Sequence, residues 1–210
     1  MTTQPYTGGH GEGEGETEQE LRRWIELCRQ LKVGDASWAH PSFADLVAAC
    51  GFYQPPAAWT HGGTQQPGRC FQTASEWAER AGWTYVEGSA FVPSAAPFSC
   101  IEHAWCLNDG DVADPSLPDG IATGYIGIPL SHTFRRQQQA IRGTDAVFVS
   151  DPRNPLTGIN TDVLRTGLPT HAVAVHPQRP DIAQPSSGVQ PSSLPSPSSW
   201  DRGSDRHTHP

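Results

Sequence analysis

No stretch of the chain approaches the roughly 18 consecutive apolar residues that a membrane-spanning helix requires, so no contact with membrane is expected. A Lys/Arg-rich stripe interleaved with aromatics is also missing, which argues against a nucleic-acid partner. The opening residues "MTTQPYTGGHGEGEGE" lack the basic start and apolar run of an export signal, and the simplest expectation is a cytoplasmic protein. Cysteine is sparse and odd in number. The five residues Cys28, Cys50, Cys70, Cys100 and Cys106 do not suit a disulfide framework, and each needs its own explanation. The net charge of -8 implies no basic partner, because Glu12, Glu14, Glu16, Glu18 and Glu20 supply five of those charges in one run without a basic residue.

Both ends are poor in the apolar side chains needed to offset the entropy of ordering. Residues 1–17 alternate Gly with Glu, and residues 178–210 are rich in Pro and Ser, so both are expected to be disordered tails. Residues 18–177 are the length of a single domain. Within it, "EQELRRWIELCRQL" sets Leu21, Trp24, Ile25, Cys28 and Leu31 on one helical stripe, and "PSFADLVAACG" reads as a helix capped by Ser42 and stopped at Gly51. A loop over residues 52–68 precedes a helix from Arg69 to Ala81. Strands are expected at residues 83–92, 100–107 and 123–130, followed by a possible helix in "HTFRRQQQAIRG", a short apolar run "AVFVS" and a possible strand in "HAVAVH". Helices followed by strands give an α+β class.

The stretch "CIEHAWCLNDGDVADPS" places His103 between Cys100 and Cys106, a spacing that could serve zinc. On a strand, however, side chains alternate, so Cys100 and Cys106 face one way and His103 and Trp105 the other. A fourth ligand is missing too. The strand is therefore preferred, and no metal or other cofactor is expected. With Asp109-Gly110 as a two-residue turn, Asn108 faces Asp111, Leu107 faces Val112 and Trp105 faces Asp114. His103 and Asp114 then become same-face diagonal neighbours roughly 7–8 Å apart at the backbone, a distance their side chains can bridge. Cys100 and Cys106 are left as packing residues on the opposite face.

An imidazole oriented by a carboxylate invites a nucleophile, and Cys70 has the best local setting. The partial positive charge of a helix N-terminus stabilises a thiolate, as does a neighbouring imidazolium. Gln65 or Gln66 could set a side-chain amide beside the Cys70 N–H to form a two-donor oxyanion site. Trp105 would cover the His103–Asp114 pair or serve as a core aromatic; Glu87 would bond near the site or face solvent as an ordinary strand carboxylate. His61, His132 and His171 have no spacing partner and read as ordinary histidines.

The order Cys, then His on a strand, then Asp on the next strand resembles the transglutaminase-like branch of the papain-fold cysteine hydrolases. The blocks "GRCFQTA", "YVEGSAF", "EHAWC", "VADPS" and "YIGIPL" resemble those of small uncharacterised bacterial and phage proteins of that fold, over about residues 68–130. Two positions depart from the pattern: Thr73 stands where Asn is usual, and Ser116 replaces Thr after Asp-Pro. The resemblance implies helices packed on an antiparallel sheet, with Cys70 as nucleophile, His103 as general base and acid, and Asp114 orienting His103. It further implies a thiol-dependent acyl-transfer enzyme acting on a peptide or amide substrate, by hydrolysis or by transfer. The alternative is a binding or scaffold module of phage or mobile-element origin that retains the fold without catalysis. The oligomeric state is left open.

Overall fold

The computed structural model describes residues 12–31, 35–62, 65–150 and 158–174, with residues 12–14 described by backbone alone. The Pro/Ser-rich segment from residue 178 and the first eleven residues lie outside these. The first helix, α1 (Glu12–Gln30), begins earlier than the stripe from Glu18 suggested. Its buried side chains Leu21 and Ile25 continue one turn back to Thr17, whose methyl group lies over Gly124. Leu31, the expected end of the stripe, falls beyond α1 and is exposed. Helix α2 (Phe43–Cys50) starts at Ser42, whose Oγ accepts the Asp45 N–H at 3.1 Å. It ends without a left-handed turn, since Gly51 is extended and leads straight into strand β1 (Phe52–Gln54).

Strand β1 was not expected, because Pro55 and Pro56 make the segment read as loop. It pairs with β5 (Gly124–Pro129), placing Phe52 opposite Gly127. The remaining strands are β2 (Thr84–Phe91), β3 (Cys100–Asn108) and β4 (Asp111–Ala113), and all five form one antiparallel sheet in the order β1-β5-β2-β3-β4. Helix α3 (Cys70–Ala81) precedes β2. Helix α4 (His132–Arg142), capped by Ser131 and closed by left-handed Gly143, and the short α5 (Thr161–Thr166) follow β5. The protein is thus α+β, and the described residues all fall within the compact unit Met1–Pro177.

The sheet divides the core in two. On one face, Leu21, Leu46, Val47, Phe71, Ala74 and Ala78 from the helices bury Tyr85, Ala104, Cys106, Ile126 and Ile128 of the strands. On the other face a smaller cluster, built around Val86, Trp105, Leu107, Val112 and Tyr125, is closed by loop residues that include Ala95 and Leu117. The apolar run Ala146–Val149 is buried but joins no strand, because the N–H groups of Val147, Phe148 and Val149 are taken by a side chain of β2. Of "HAVAVH", only Val173 bridges to Leu130 and Ala174 donates its N–H to Pro129; residues 175–176 lie outside the described set. Among the described residues, no helix is long and apolar enough to cross a membrane.

Candidate active site

The hairpin between β3 and β4 positions the first two groups. Asp109 and Gly110 both have positive φ, 50° and 98°, which is the backbone of a type I′ turn. The register sets Asn108 opposite Asp111, Leu107 opposite Val112 and Cys106 opposite Ala113, so Asp114 follows one step past the last pair. From there its carboxylate reaches His103, with Oδ2 lying 2.7 Å from Nε2 of the ring. Both side chains are buried.

Asp114 is well supplied with donors. Its Oδ1 accepts the backbone N–H groups of Ser116 at 2.8 Å and Leu117 at 3.1 Å. Its Oδ2 accepts the Tyr125 hydroxyl at 3.0 Å in addition to the imidazole. Burial pushes the carboxyl pKa up, but the charge and hydrogen bond of His103 and the two backbone donors outweigh that, and the net direction is down. For His103 burial likewise opposes the charged form. The Asp114 charge and hydrogen bond, reinforced by the nearby Cys70 thiol, prevail and raise the imidazolium pKa to about 10. Asp114 occupies Nε2, which leaves Nδ1 as the ring nitrogen without a hydrogen bond to the carboxylate.

Cys70 reaches the ring from the first turn of α3. Left-handed Gly68, at φ 82°, turns the chain into the helix, and no side chain caps its N-terminus. The first-turn N–H groups have no intrahelical acceptor. Cys70 is half-buried. Thr73, one turn on, returns its Oγ1 hydrogen to the Arg69 carbonyl at 2.9 Å.

The two glutamines take different places. Gln65 spends its amide on the carbonyls of Asp114, at 2.8 Å, and Leu117, at 2.6 Å. It ties the lead-in to Cys70 to the loop that carries the carboxylate, and in this arrangement has no hydrogen to offer an oxyanion. Gln66 donates its backbone N–H to Pro115 at 3.0 Å, and its side chain is exposed.

Trp105 is fully buried and stacks beside His103, with ring centroids 6.1 Å apart at 15°. Two glycines align across the sheet with His103, Gly88 on β2 and Gly127 on β5; Gly127 leaves the space for the indole, and Gly88 lets β5 approach closely. A Cβ on Gly127 would lie 2.5 Å from Trp105 Cη2, and one on Gly88 would lie 2.2 Å from the Ile126 carbonyl oxygen.

Glu87 faces neither solvent nor the imidazole. It is fully buried on the helix side of the sheet, where its carboxylate accepts the N–H groups of Val147, Phe148 and Val149 and the Tyr85 hydroxyl. Cys106 lies on the same face and donates its S–H to the Ala74 carbonyl at 3.2 Å. Cys100 lines a cavity of about 220 Å³ with Trp24, Ile25, Cys28, Phe43 and Glu102, and burial pushes its thiol up to about 12. No group of three or more His, Cys, Asp or Glu side chains among the described residues is arranged to hold a metal ion. His61 packs into an aromatic group with Trp59, Trp77 and Trp83, His132 meets Glu79 at the surface, and His171 lies edge-on to Phe134.

Sequence reasoning overlooked Tyr125, the brace made by Gln65, and Gly127 under Trp105. Tyr125 shares the His103 face, but that parity appears only once β5 is known to pair with β2, which no turn signal announces.

Together these groups form a thiol, an imidazole and a carboxylate in series, the first at a helix N-terminus and the last anchored by four donors. Comparison with protein-family models, with curated proteins and with solved structures finds no match for this chain.

Proposed function

We propose that the protein is a thiol-dependent acyl-transfer enzyme of the papain-like, transglutaminase-like kind, acting on a peptide or amide substrate. The observation that carries this reading is the buried His103–Asp114 pair, hydrogen-bonded at 2.7 Å, with Cys70 in the first turn of α3 near enough to bear on the charge of the imidazole. In the proposed cycle Cys70 Sγ attacks the substrate carbonyl carbon, its proton residing on His103. The developing oxyanion is received by the Cys70 N–H at the start of α3, with the exposed Gln66 amide as the second donor because the Gln65 amide is committed elsewhere. The imidazolium gives its proton to the leaving nitrogen or oxygen as the C–N or C–O bond breaks, leaving a thioester. Neutral His103 then takes a proton from water or an amine as that acceptor attacks the thioester, and Cys70 departs. Asp114 holds the ring in one orientation throughout. Water as acceptor gives hydrolysis; an amine gives transfer.

Competitive alkylation tests the reading. At pH 6, iodoacetamide is expected to label Cys70 ahead of the other four cysteines, with site-resolved rates read by mass spectrometry. His103→Asn is expected to lower the Cys70 rate by about 10²-fold, the lower end of what a positioned base supplies. Equal labelling of all accessible thiols, unaffected by the substitution, would reject the enzyme and favour a non-catalytic binding module.

A further inference from the structure

Tyr125 stands on β5, two strands away from β3, with its ring buried on the face that carries His103. It packs 5.0 Å from Trp105 and 6.3 Å from His103, centroid to centroid. Its hydroxyl is 3.0 Å from Asp114 Oδ2, the oxygen that His103 approaches at 2.7 Å. The carboxylate is thereby divided. Oδ1 is held by the local backbone at Ser116 and Leu117, whereas Oδ2 is shared by two side chains from separate strands.

We propose that Tyr125 is a positioning residue for the reaction inferred above, its hydroxyl fixing the Asp114 carboxylate toward His103 and withdrawing part of the charge that His103 would otherwise receive undivided. This inference rests on the functional reading only for its catalytic consequence. An ionised carboxylate has no hydrogen to give, so the Tyr125 hydroxyl must be the donor. Burial, followed by the Asp114 charge and hydrogen bond, keeps the phenol protonated far above its ordinary range. The titratable groups whose charge bears on the pair are Cys70 of α3 on the ring, His103 on the carboxylate, Cys106 acting on Asp114 only through space from the opposite face of the sheet, and Asp119, whose charge reaches the phenol. Strand β2 contributes only Gly88 opposite His103, and the segment before α3 contributes the neutral Gln65 amide. Tyr125 and His103 are therefore the two side chains that divide Oδ2. Removing one donor concentrates the oxygen's charge on the other.

Tyr125→Phe keeps the ring in its packing site and removes only the hydroxyl. The His103 imidazole, followed by NMR across pH 5–11, is expected to titrate about half a pH unit or more higher in Tyr125→Phe than in the wild type. The alkaline limb of the Cys70 alkylation profile is expected to move the same way. A purely structural tyrosine would lower the unfolding midpoint and leave the imidazole titration in place, and that result overturns the inference. A shifted His103 titration in a protein whose Cys70 shows no enhanced reactivity would instead retain the Tyr125–Asp114–His103 coupling and remove the enzyme reading.

Discussion

A buried imidazole carrying a proton needs more than one favourable neighbour, and His103 has the Asp114 carboxylate on Nε2 and the Cys70 thiol as its second partner. Its folded pKa of about 10 lies above the ordinary value of 6.5, so folding takes up a proton between those limits. The stabilisation contributed by the charged ring is therefore complete below about pH 6.5 and is lost as pH rises through about 10. Asp114 runs the other way. Its depressed pKa gives a contribution present above the ordinary value of 3.8 and lost as pH falls through the lower folded value. In urea titrations, the gap between the wild-type and His103→Gln midpoints is expected to be widest between about pH 4 and 6.5 and to shrink toward pH 10. A gap of equal size at pH 6 and pH 10 would show that the ring is not protonated in the folded protein.

At the scale of elements, one side chain does for residues 147–149 what a neighbouring strand would otherwise do. Glu87 Oε1 accepts from Phe148 and Val149, and Oε2 accepts from Val147 and from the Tyr85 hydroxyl. Burial pushes this carboxyl pKa up, opposed by the same four donors. Glu87→Gln keeps the shape but exchanges one acceptor oxygen for a donor NH₂, leaving the Val147 N–H without its acceptor, while the Tyr85 hydroxyl retains the Asp145 carbonyl at 3.2 Å. One unsatisfied buried N–H predicts a loss of about 1–3 kcal/mol, measured as the change in unfolding free energy. A loss below about 0.5 kcal/mol would mean that the segment is held by packing alone. This clamp explains why "AVFVS" misleads as sequence: its composition is that of a strand, but its hydrogen-bond acceptors lie about sixty residues away on β2. Strand β1 was hidden for a related reason, since "FYQ" is three residues long, is followed at once by Pro55-Pro56, and its partner β5 begins only at Gly124. Local signals fared better. Asp109-Gly110 and strand parity place His103 and Asp114 together, and Pro67-Gly68 before an alanine-rich stripe places Cys70 at a helix start. What the chain could not disclose were contacts depending on non-local register, namely Tyr125 on Asp114, Gln65 on the Asp114 carbonyl and Trp105 over Gly127.

For the molecule as a whole, the proposed site depends on elements that meet only in the assembled fold. Cys70 comes with α3, His103 with β3, Asp114 with the loop after β4, Tyr125 with β5, and Gln65 ties the approach to α3 to that same loop. None of these groups belongs to a fragment that could hold the arrangement alone. Cys106 reports independently on the same core, being buried between β3 and α3 with its S–H on the Ala74 carbonyl, whereas Cys50 is half-buried in the last turn of α2. For a single cooperative unit, all probes of structure should change together. In a urea series with brief alkylation pulses, the labelling advantage of Cys70 over Cys50 and the protection of Cys106 are expected to disappear at one midpoint. That midpoint should coincide with the fluorescence transition of the tryptophans within the described residues, Trp105 among them. If the Cys70 advantage vanished at lower urea while Cys106 stayed protected, the site would be opening by local unfolding of the segment before α3, and the tie made by Gln65 would be weaker than its two hydrogen bonds indicate. If both changed together and Gln65→Ala separated them, the coupling between nucleophile and carboxylate would be traced to that one amide.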